Sequence, residues 1–208
     1  MHIYKLLLLN SCLILISCTA KEDKVKSKKN IEFYFVRHGE TDWGKEDILK
    51  GPQDLALNEA GRQQAKKAGN TLKKVLSNIP SVRIVSSTLK RAIETAQEIS
   101  EITKIEITAY EDGLKERYYG DYRLSTKLDE IPPDAEQTES FKERVTNTIL
   151  KILLEQYQNL PLVVVSHQKV FEYISEFLTK KSARLPQGGI AHFTLNDGKW
   201  SIKILEIK

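Results

Sequence analysis

The sequence predicts an α/β fold in which helices cover both faces of a mostly parallel sheet. Short runs rich in β-branched and aromatic residues alternate with longer segments whose apolar residues recur at helical spacing. The strand-like runs are almost continuously apolar, as expected of strands that are buried on both faces. A chain of 208 residues can build one domain with a substantial core. Together these observations favour a three-layer α/β/α sandwich.

The predicted elements follow one another in the order that such a sandwich requires. Strands are expected at residues 31–36, 82–87, 105–108 and 161–167, and helices at about 58–76, 89–99, 138–158 and 169–178. The first helix is expected to begin after Asn58, a residue type whose side chain caps helix N-termini. A polar stretch with Pro132 and Pro133 precedes the third helix and is predicted to be irregular. Strand-like segments on both sides of residues 196–198 indicate a terminal hairpin.

Three of the predicted strands end on polar residues. Because the carboxyl ends of parallel strands line one edge of a sheet, these polar residues are expected to meet at that edge. They are Arg37 with His38, Ser86 with Ser87, and Ser166 with His167. Two of the four histidines of the chain thus end the two most apolar strands, whereas His192 lies within a predicted strand and is expected to be structural. The sequence therefore predicts a ligand site at this edge, which we call the carboxyl edge.

The first 30 residues have the features of an export signal and a tether. Residues 6–16 form an apolar run too short to cross a bilayer, which takes roughly 20 residues, but suited to a signal peptide. The run closes on the sequence LISC, which resembles the lipobox of bacterial lipoproteins and makes Cys18 the predicted lipidation site. An ordinary signal peptide cut near Ala20 and an uncleaved anchor are the alternatives. We expect a signal peptide at 1–17, a tether at 18–30 and a folded domain at 31–208.

Charge and cysteine content limit the classes of partner. Six of the 32 basic residues but only two of the 28 acidic residues precede residue 31, so the net charge of +4 belongs to the leader and tether. A balanced domain argues against a nucleic-acid partner, which would require a basic excess in the folded part. Both cysteines, Cys12 and Cys18, lie in the leader, which is compatible with an exported domain. The predicted location is therefore the outer face of a bacterial membrane, through a lipid anchor.

Five ordered segments of the domain resemble the motifs of one family, the histidine phosphatase superfamily with its phosphoglycerate mutase-like fold. Arg37 to Thr41 matches the RHGET signature. The other segments are KGPQDLALNEAGRQQA at 50–65, IVSSTLKRAIETA at 84–96, LKERYYGDY at 114–122 and VVVSH at 163–167. A single RHG triplet is a weak signal, whereas five segments in family order are a strong one.

The resemblance implies a role for each residue at the carboxyl edge. His38 would be the nucleophile that forms a phosphohistidine, and Glu116 would protonate the leaving oxygen and then activate water. Arg37 and Arg91 would bind the phosphate oxygens, since guanidinium groups bind phosphate through paired charged hydrogen bonds. His167 would stabilise the charge that develops on those oxygens.

Further positions are predicted to line the pocket, and others depart from the family pattern. Thr41 and Lys50 are further candidates for contact with substrate, and Gly39 is expected to let phosphate approach the backbone. The family usually has asparagine where this chain has Gly44, and glycine where it has Gln168. The GxWEG element is reduced to the sequence GDYR at 120–123. These departures touch the periphery of the site and favour an altered substrate preference over loss of activity.

These features predict a metal-independent phosphomonoesterase that acts on phosphorylated small molecules. The sequence has no HExxH motif, no P-loop and no cluster of carboxylates and histidines at metal-ligand spacing, so neither a metal nor another cofactor is expected. Two alternatives stay open at this point: a lipid-anchored protein that binds phosphate ligands without turnover, and a mutase-type phosphotransferase. The export signal favours hydrolysis, because glycolytic intermediates are not met outside the cytoplasm.

Overall fold

The computed structural model describes residues 31–42, 54–120, 134–156 and 161–207, and within these ranges the strands form one six-stranded sheet. The strands are β1 (Ile31–Arg37), β2 (Arg83–Ser87), β3 (Ile107–Glu111), β4 (Leu162–Ser166), β5 (Ile190–Asn196) and β6 (Lys199–Leu205). The helices are α1 (Glu59–Val75), α2 (Lys90–Thr103), α3 (Thr138–Gln156) and α4 (Gln168–Thr179), and a 3₁₀ turn spans Asp112–Leu114. The predicted α/β class is confirmed.

The sheet has the strand order β3-β2-β4-β1-β5-β6. The four strands β3, β2, β4 and β1 run parallel, and β5 and β6 are antiparallel to their neighbours. The expectation of a mostly parallel sheet is therefore confirmed, with the hairpin at one side as its antiparallel part. The hairpin turns at Asp197 and Gly198, whose positive φ values of 48° and 76° suit the tight turns that join antiparallel strands.

Helices pack on both faces of the sheet because successive side chains of a strand point in opposite directions. Phe33 and Phe35 of β1 pack into one core with residues of α3 and α4. Tyr34 and Val36 of the same strand pack into a second core with residues of α1 and α2. Full burial of such side chains stabilises a fold by roughly 1.5–3 kcal/mol each. The result is the three-layer sandwich expected from the sequence.

The first helix starts as its capping residue predicts. The Asn58 side chain accepts a hydrogen bond from the Gly61 N–H at 2.8 Å, which satisfies one of the free donors of the helix N-terminus. This cap also joins the helix to β1, because the Asn58 amide donates to the Glu40 carboxylate at 2.9 Å. The segment that follows β1 is thereby held against α1.

The third strand begins later than the sequence pattern predicts. Its predicted range was 105–108, whereas β3 spans Ile107–Glu111. The end of α2 takes up the preceding residues, since Lys104 adopts a left-handed conformation and the Ser100 hydroxyl donates to the Ile105 carbonyl at 2.6 Å. Among the described residues, no helix is long and apolar enough to cross a membrane. The predicted signal peptide and tether lie outside the described residues.

Candidate active site

The two strand-end histidines meet at the carboxyl edge, as the sequence predicts. Strands β1 and β4 pair with Arg37 opposite Ser166, so the residue that follows each strand faces the other. The His38 and His167 rings lie 5.0 Å apart between centroids. The backbone N–H of His38 donates to the backbone carbonyl of Ser166 at 3.0 Å. Both histidines are almost fully buried, with 3% and 0% of their surface exposed.

The hydrogen bonds of His38 define its tautomer. Its Nδ1 lies 2.7 Å from the Gly39 carbonyl oxygen, which can only accept, so Nδ1 carries the proton. Its Nε2 accepts a hydrogen bond from Arg91 Nε at 3.2 Å, and an arginine can only donate. His38 is therefore a neutral imidazole whose lone pair is on Nε2. That lone pair is the electron pair a nucleophilic histidine needs.

His167 is oriented by a neighbouring strand. Its Nε2 forms a 2.8 Å hydrogen bond with the hydroxyl of Ser87, the last residue of β2. That hydroxyl also accepts the backbone N–H of Leu89 at 3.3 Å, at the entrance to α2. The residues predicted at the ends of β1, β2 and β4 are thus brought together.

Two arginines lie at the same edge as the histidine pair, Arg91 buried and Arg37 partly buried. Arg91 is 3% exposed in the first turn of α2, where the helix dipole also favours an anion. Arg37 donates through Nη1 to the Leu185 carbonyl at 2.8 Å, while its buried Nε has no hydrogen-bond partner among the described residues. Burial lowers the pKa of both arginines, and the charge of Glu116 opposes that shift. Guanidinium groups that are shielded from water and have donors to spare are suited to bind an anion.

Glu116 joins this site from the irregular segment after the 3₁₀ turn. Its two carboxylate oxygens accept the backbone N–H of Lys169, at the start of α4, at 3.2 and 3.3 Å. Burial raises its pKa, against the opposing effects of backbone N–H bonds and of the charges of Arg91 and Arg37. A carboxyl group with a raised pKa near two arginines is suited to proton transfer.

Sequence reasoning missed the residue that holds the Glu116 segment in place. Arg144 of α3 donates to the carbonyls of Gly113, Lys115 and Glu116 at distances of 3.0, 2.9 and 3.2 Å. It also pairs with the Glu136 carboxylate. An arginine on the polar side of a predicted helix carries no signal for this role, because the partners are backbone atoms about 30 residues away.

Thr95 is a second residue whose role the sequence did not reveal. Its hydroxyl donates to the Arg91 carbonyl at 2.7 Å and accepts the Gly39 N–H at 3.1 Å, so it joins α2 to the loop that carries His38. Its position four residues after Arg91, on the same face of the helix, is the signal that could have found it.

The structure gives Gly39 a role in packing, while the predicted approach of phosphate to its backbone stays a prediction. A Cβ atom at this position would lie 2.3 Å from the carbonyl oxygen of Gly61 in α1, a distance no side chain tolerates. A glycine is therefore required here for the loop to approach the helix.

The remaining predicted residues divide between described and undescribed parts of the chain. Thr41 is fully buried, and its hydroxyl has no hydrogen-bond partner among the described residues. Lys50, Gly44 and Cys18 lie outside the described residues. Within the ranges that are described, no group of three or more histidine, cysteine or acidic side chains could hold a metal ion.

An α/β domain with two histidines and two arginines at the carboxyl edge of its sheet is of the class that handles phosphate groups. The chain belongs to the histidine phosphatase superfamily (branch 1), whose family model matches residues 33–208. The resemblance drawn from the five sequence motifs is thus confirmed.

Individual relatives agree with this family. The chain is 31% identical to the uncharacterized phosphatase PhoE of Bacillus subtilis, over 81% of this chain and 90% of that protein. It is 32% identical to phosphoglycerate mutase-like protein 4 of Arabidopsis thaliana, over 83% and 84% of the two chains. Phosphatases among the relatives support phosphatase activity for this chain.

The fold agrees with solved structures of the same class. The structure of mycobacterial glucosyl-3-phosphoglycerate phosphatase superposes with a TM-score of 0.71 at 19% identity. The match covers 86% of this chain and all of the other. The phosphoglycerate mutase-like architecture predicted from the sequence is therefore confirmed.

Proposed function

We propose that the protein is a metal-independent phosphomonoesterase that hydrolyses phosphorylated small molecules through a phosphohistidine at His38. The observation that carries this proposal is the state of His38. Its Nδ1 is held by the Gly39 carbonyl, and its Nε2 lone pair accepts a hydrogen bond from the buried Arg91. The relatives named above support the class of reaction.

Phosphate would enter between His38 and the two arginines. The incoming oxygens would replace His38 as the partner of Arg91 Nε and would take up the free Nε of Arg37. With Arg91 bound to phosphate, the His38 lone pair is released toward phosphorus. His167, 5.0 Å from His38 between ring centroids, would donate to an oxygen on which charge accumulates.

The first chemical step is transfer of the phosphoryl group to the enzyme. His38 Nε2 forms a bond to phosphorus while the bond from phosphorus to the ester oxygen breaks. Glu116 enters this step in its protonated form, which its raised pKa favours, and gives its proton to the leaving alkoxide. The alcohol departs, and the enzyme holds a phosphohistidine and an ionised Glu116.

The second step restores the enzyme. Glu116 removes a proton from a water molecule as the water oxygen bonds to phosphorus and the bond to His38 Nε2 breaks. Inorganic phosphate leaves, His38 is again neutral and Glu116 is again protonated. The nucleophilic route splits one difficult displacement into two easier ones.

The test is hydrolysis of p-nitrophenyl phosphate by residues 31–208 in the presence of a chelator, with His38→Ala as the reference. We expect the wild type to turn over and the variant to lose about 10⁴-fold or more in kcat, because a nucleophile is removed. Loss of activity on chelation would contradict the metal-free mechanism. An inactive wild type that still binds inorganic phosphate would favour a binding protein without turnover.

The intermediate can be tested separately by rapid quench with ³²P-labelled substrate. A phosphohistidine gives a protein-bound label that survives alkali and is lost in acid. Glu116→Gln should increase the labelled fraction with p-nitrophenyl phosphate, because its good leaving group needs little protonation while water still needs a base. Label on the His38→Ala protein would contradict the assignment of the nucleophile.

We also propose that the protein is exported and anchored to a bacterial membrane through a lipid on Cys18. The apolar run and the LISC sequence support this location. Cells that express the full chain should incorporate radioactive palmitate into it, and Cys18→Ser should abolish the label. Incorporation that persists in the variant would overturn the assignment.

A further inference from the structure

Gln168, the residue that replaces the usual glycine of the family after His167, is buried beside the site. It is the first residue of α4 and is 9% exposed. Its Nε2 donates to the Glu172 carboxylate at 3.0 Å, and its Oε1 accepts the backbone N–H of Leu185 at 3.2 Å. A carboxylate can only accept and an N–H can only donate, so the two partners fix the orientation of the amide.

The backbone of Leu185 connects Gln168 to the phosphate-binding arginine. Its N–H is held by Gln168, and its carbonyl accepts the Arg37 guanidinium at 2.8 Å. The Leu185 side chain is 1% exposed in the core between the sheet and α4. Leu185 is thus fixed through its N–H and binds Arg37 through its carbonyl.

The segment that contains Leu185 also binds the backbone of Arg37. The Arg37 N–H donates to the Gly189 carbonyl at 3.1 Å, and the Gly188 N–H donates to the Arg37 carbonyl at 3.1 Å. The segment between α4 and β5 therefore sets both the main chain and the side chain of Arg37. Three side chains of α4 bind this segment: Ser175 accepts the Ala183 N–H at 3.0 Å, Glu172 pairs with Arg184 at 3.1 Å, and Gln168 holds Leu185, the residue that contacts Arg37.

We propose that Gln168 is a positioning residue for Arg37, acting through the Leu185 backbone, with Glu172 fixing its amide. This inference rests on the proposed function, in which Arg37 binds the phosphate of the substrate. Glu172 is itself held by Lys169 Nζ at 2.8 Å and Arg184 Nε at 3.1 Å, so the amide of Gln168 has a fixed anchor.

The physical reason is geometric. A planar guanidinium group binds phosphate through two parallel hydrogen bonds. If the guanidinium group can rotate, one of these two bonds is broken part of the time. Without the Gln168 acceptor, the buried Leu185 N–H has no fixed partner and its carbonyl can turn away from Arg37. We expect a loss of about tenfold in kcat/KM, the size that corresponds to one net hydrogen bond.

The first experiment compares Gln168→Ala with Gln63→Ala. Gln63 makes the same kind of bond, from its amide to Glu59 four residues away at 2.9 Å, on the exposed side of α1 and away from Arg37. Gln168→Ala should lower kcat/KM for p-nitrophenyl phosphate about tenfold and weaken binding of inorganic phosphate by a similar factor. Gln63→Ala should change neither by more than about twofold.

The decisive readout is the same substitution in an Arg37→Ala background. If Gln168 acts through Arg37, its removal should cost less than about twofold once Arg37 is gone. A loss of about tenfold in both backgrounds would show that Gln168 acts elsewhere and would overturn the inference. An unchanged kcat/KM in the single variant would overturn it as well.

A rescue variant separates positioning from general destabilisation. The exchange Gln168→Glu with Glu172→Gln keeps the total charge and the bonds of residue 168, because Glu at 168 accepts both the Leu185 N–H and the new amide. The exposed Arg184 side chain loses its acceptor at position 172 in this variant, and Lys169 keeps an oxygen there. Gln168→Glu alone places two carboxylates together and should lose activity, and the exchange should recover most of that loss. A double variant no better than Gln168→Glu would contradict the proposed network.

The inference and the proposed function can fail independently. If the wild-type domain has no phosphatase activity, the proposed function fails, and the position of Arg37 is still measurable by crystallography of Gln168→Ala. Displacement of the Arg37 guanidinium from the Leu185 carbonyl would support the inference. An Arg37 that keeps its 2.8 Å contact in that variant would overturn it.

Discussion

The carboxyl edge of the parallel strands and the β5–β6 hairpin belong to one sheet but contain opposite kinds of residue. At the carboxyl edge His38, Arg91 and His167 are buried and hydrogen-bonded. On the hairpin, His192 lies in mid-strand, stacks on Tyr34 at 4.3 Å and forms a 2.8 Å hydrogen bond with Glu32. Histidine side chains therefore have different surroundings in the two regions.

The difference follows from strand direction. Parallel strands deliver each successive chain segment to the same edge, so the residues after β1, β2 and β4 converge there. A hairpin reverses direction at every strand and brings its polar residues to opposite edges. Burial of charged groups is costly. The fold places Arg37, Arg91 and Glu116 together at the carboxyl edge in spite of this cost.

Among variants that keep His38, the largest effect on this contrast should come from Glu116→Gln. With an alkyl phosphate, whose leaving group needs a proton, we expect kcat to fall by about 10³-fold. In the wild type, activity should decrease as pH rises through the raised pKa of Glu116, because the first step uses the protonated form. The pH–rate profile checks this, and a variant that retains the wild-type alkaline limb would exclude Glu116 as the acid.

Glu116→Gln should lower activity but increase the stability of the folded protein at higher pH. Since burial raises the Glu116 pKa above its ordinary value of 4.5, the protonated carboxyl is the form that the fold favours. The contribution of this protonated form to the free energy of unfolding is fully present below pH 4.5 and is lost as pH rises through the raised pKa. Glu116→Gln should therefore become more stable relative to wild type as pH increases, measured by urea unfolding at several pH values. A constant difference across pH would contradict the shift.

A smaller loss is expected for His167→Ala, which removes the donor proposed to bind the phosphoryl oxygens. We expect kcat to fall by about 10²-fold, the usual cost of one preorganised donor. The His38 ring should keep its bond to Gly39, so the phosphohistidine should still form, more slowly. Rapid-quench labelling measures that rate. An unaltered rate of labelling would place His167 outside the transition state.

Thr95→Val tests whether the link between α2 and the His38 loop matters for catalysis. We expect a loss of about tenfold in kcat/KM, because the Gly39 N–H loses its acceptor and the loop is less well held. Thr103→Val is the matched control, since Thr103 makes the same bond to the carbonyl four residues earlier, at 2.8 Å, at the far end of α2. Equal losses in both variants would indicate a general effect on the helix.

The smallest effect on activity should come from His192→Ala in the hairpin. Its ring contact with Tyr34 and its hydrogen bond with Glu32 should be worth about 1–2 kcal/mol of folding free energy. Because the residue lies away from the carboxyl edge, kcat/KM should change by less than about twofold. Chemical denaturation and steady-state kinetics measure the two quantities. A large kinetic loss would remove the distinction between the two regions.

Much of the fold could be predicted because its signals are local. The Asn58 cap, the start of α3 at Thr138 and the turn at residues 196–198 each depend on a few neighbouring residues. The start of β3 was displaced by two residues because the end of α2 engages Ile105, an interaction that no apolar pattern records. The predictions for the leader, including Cys18, stay predictions.

The candidate site was predictable in its membership and not in its arrangement. Strand-end polarity and the family motifs selected His38, Arg91, Glu116 and His167. The support provided by Arg144 and Gln168 could not be predicted, because both act on backbone atoms of remote segments.

The sequence by itself determined the order of strands and helices and the polar residues that end each strand, since periodicity and strand composition are properties of short segments. Only the tertiary structure decided which nitrogen of His38 holds the lone pair, because that depends on an arginine 53 residues away. It also decided how Glu116 reaches the site, through Arg144 and the N-terminus of α4. Hydrogen bonds between distant segments exist only once the helices have packed on the sheet, and the chemistry of the site depends on those bonds.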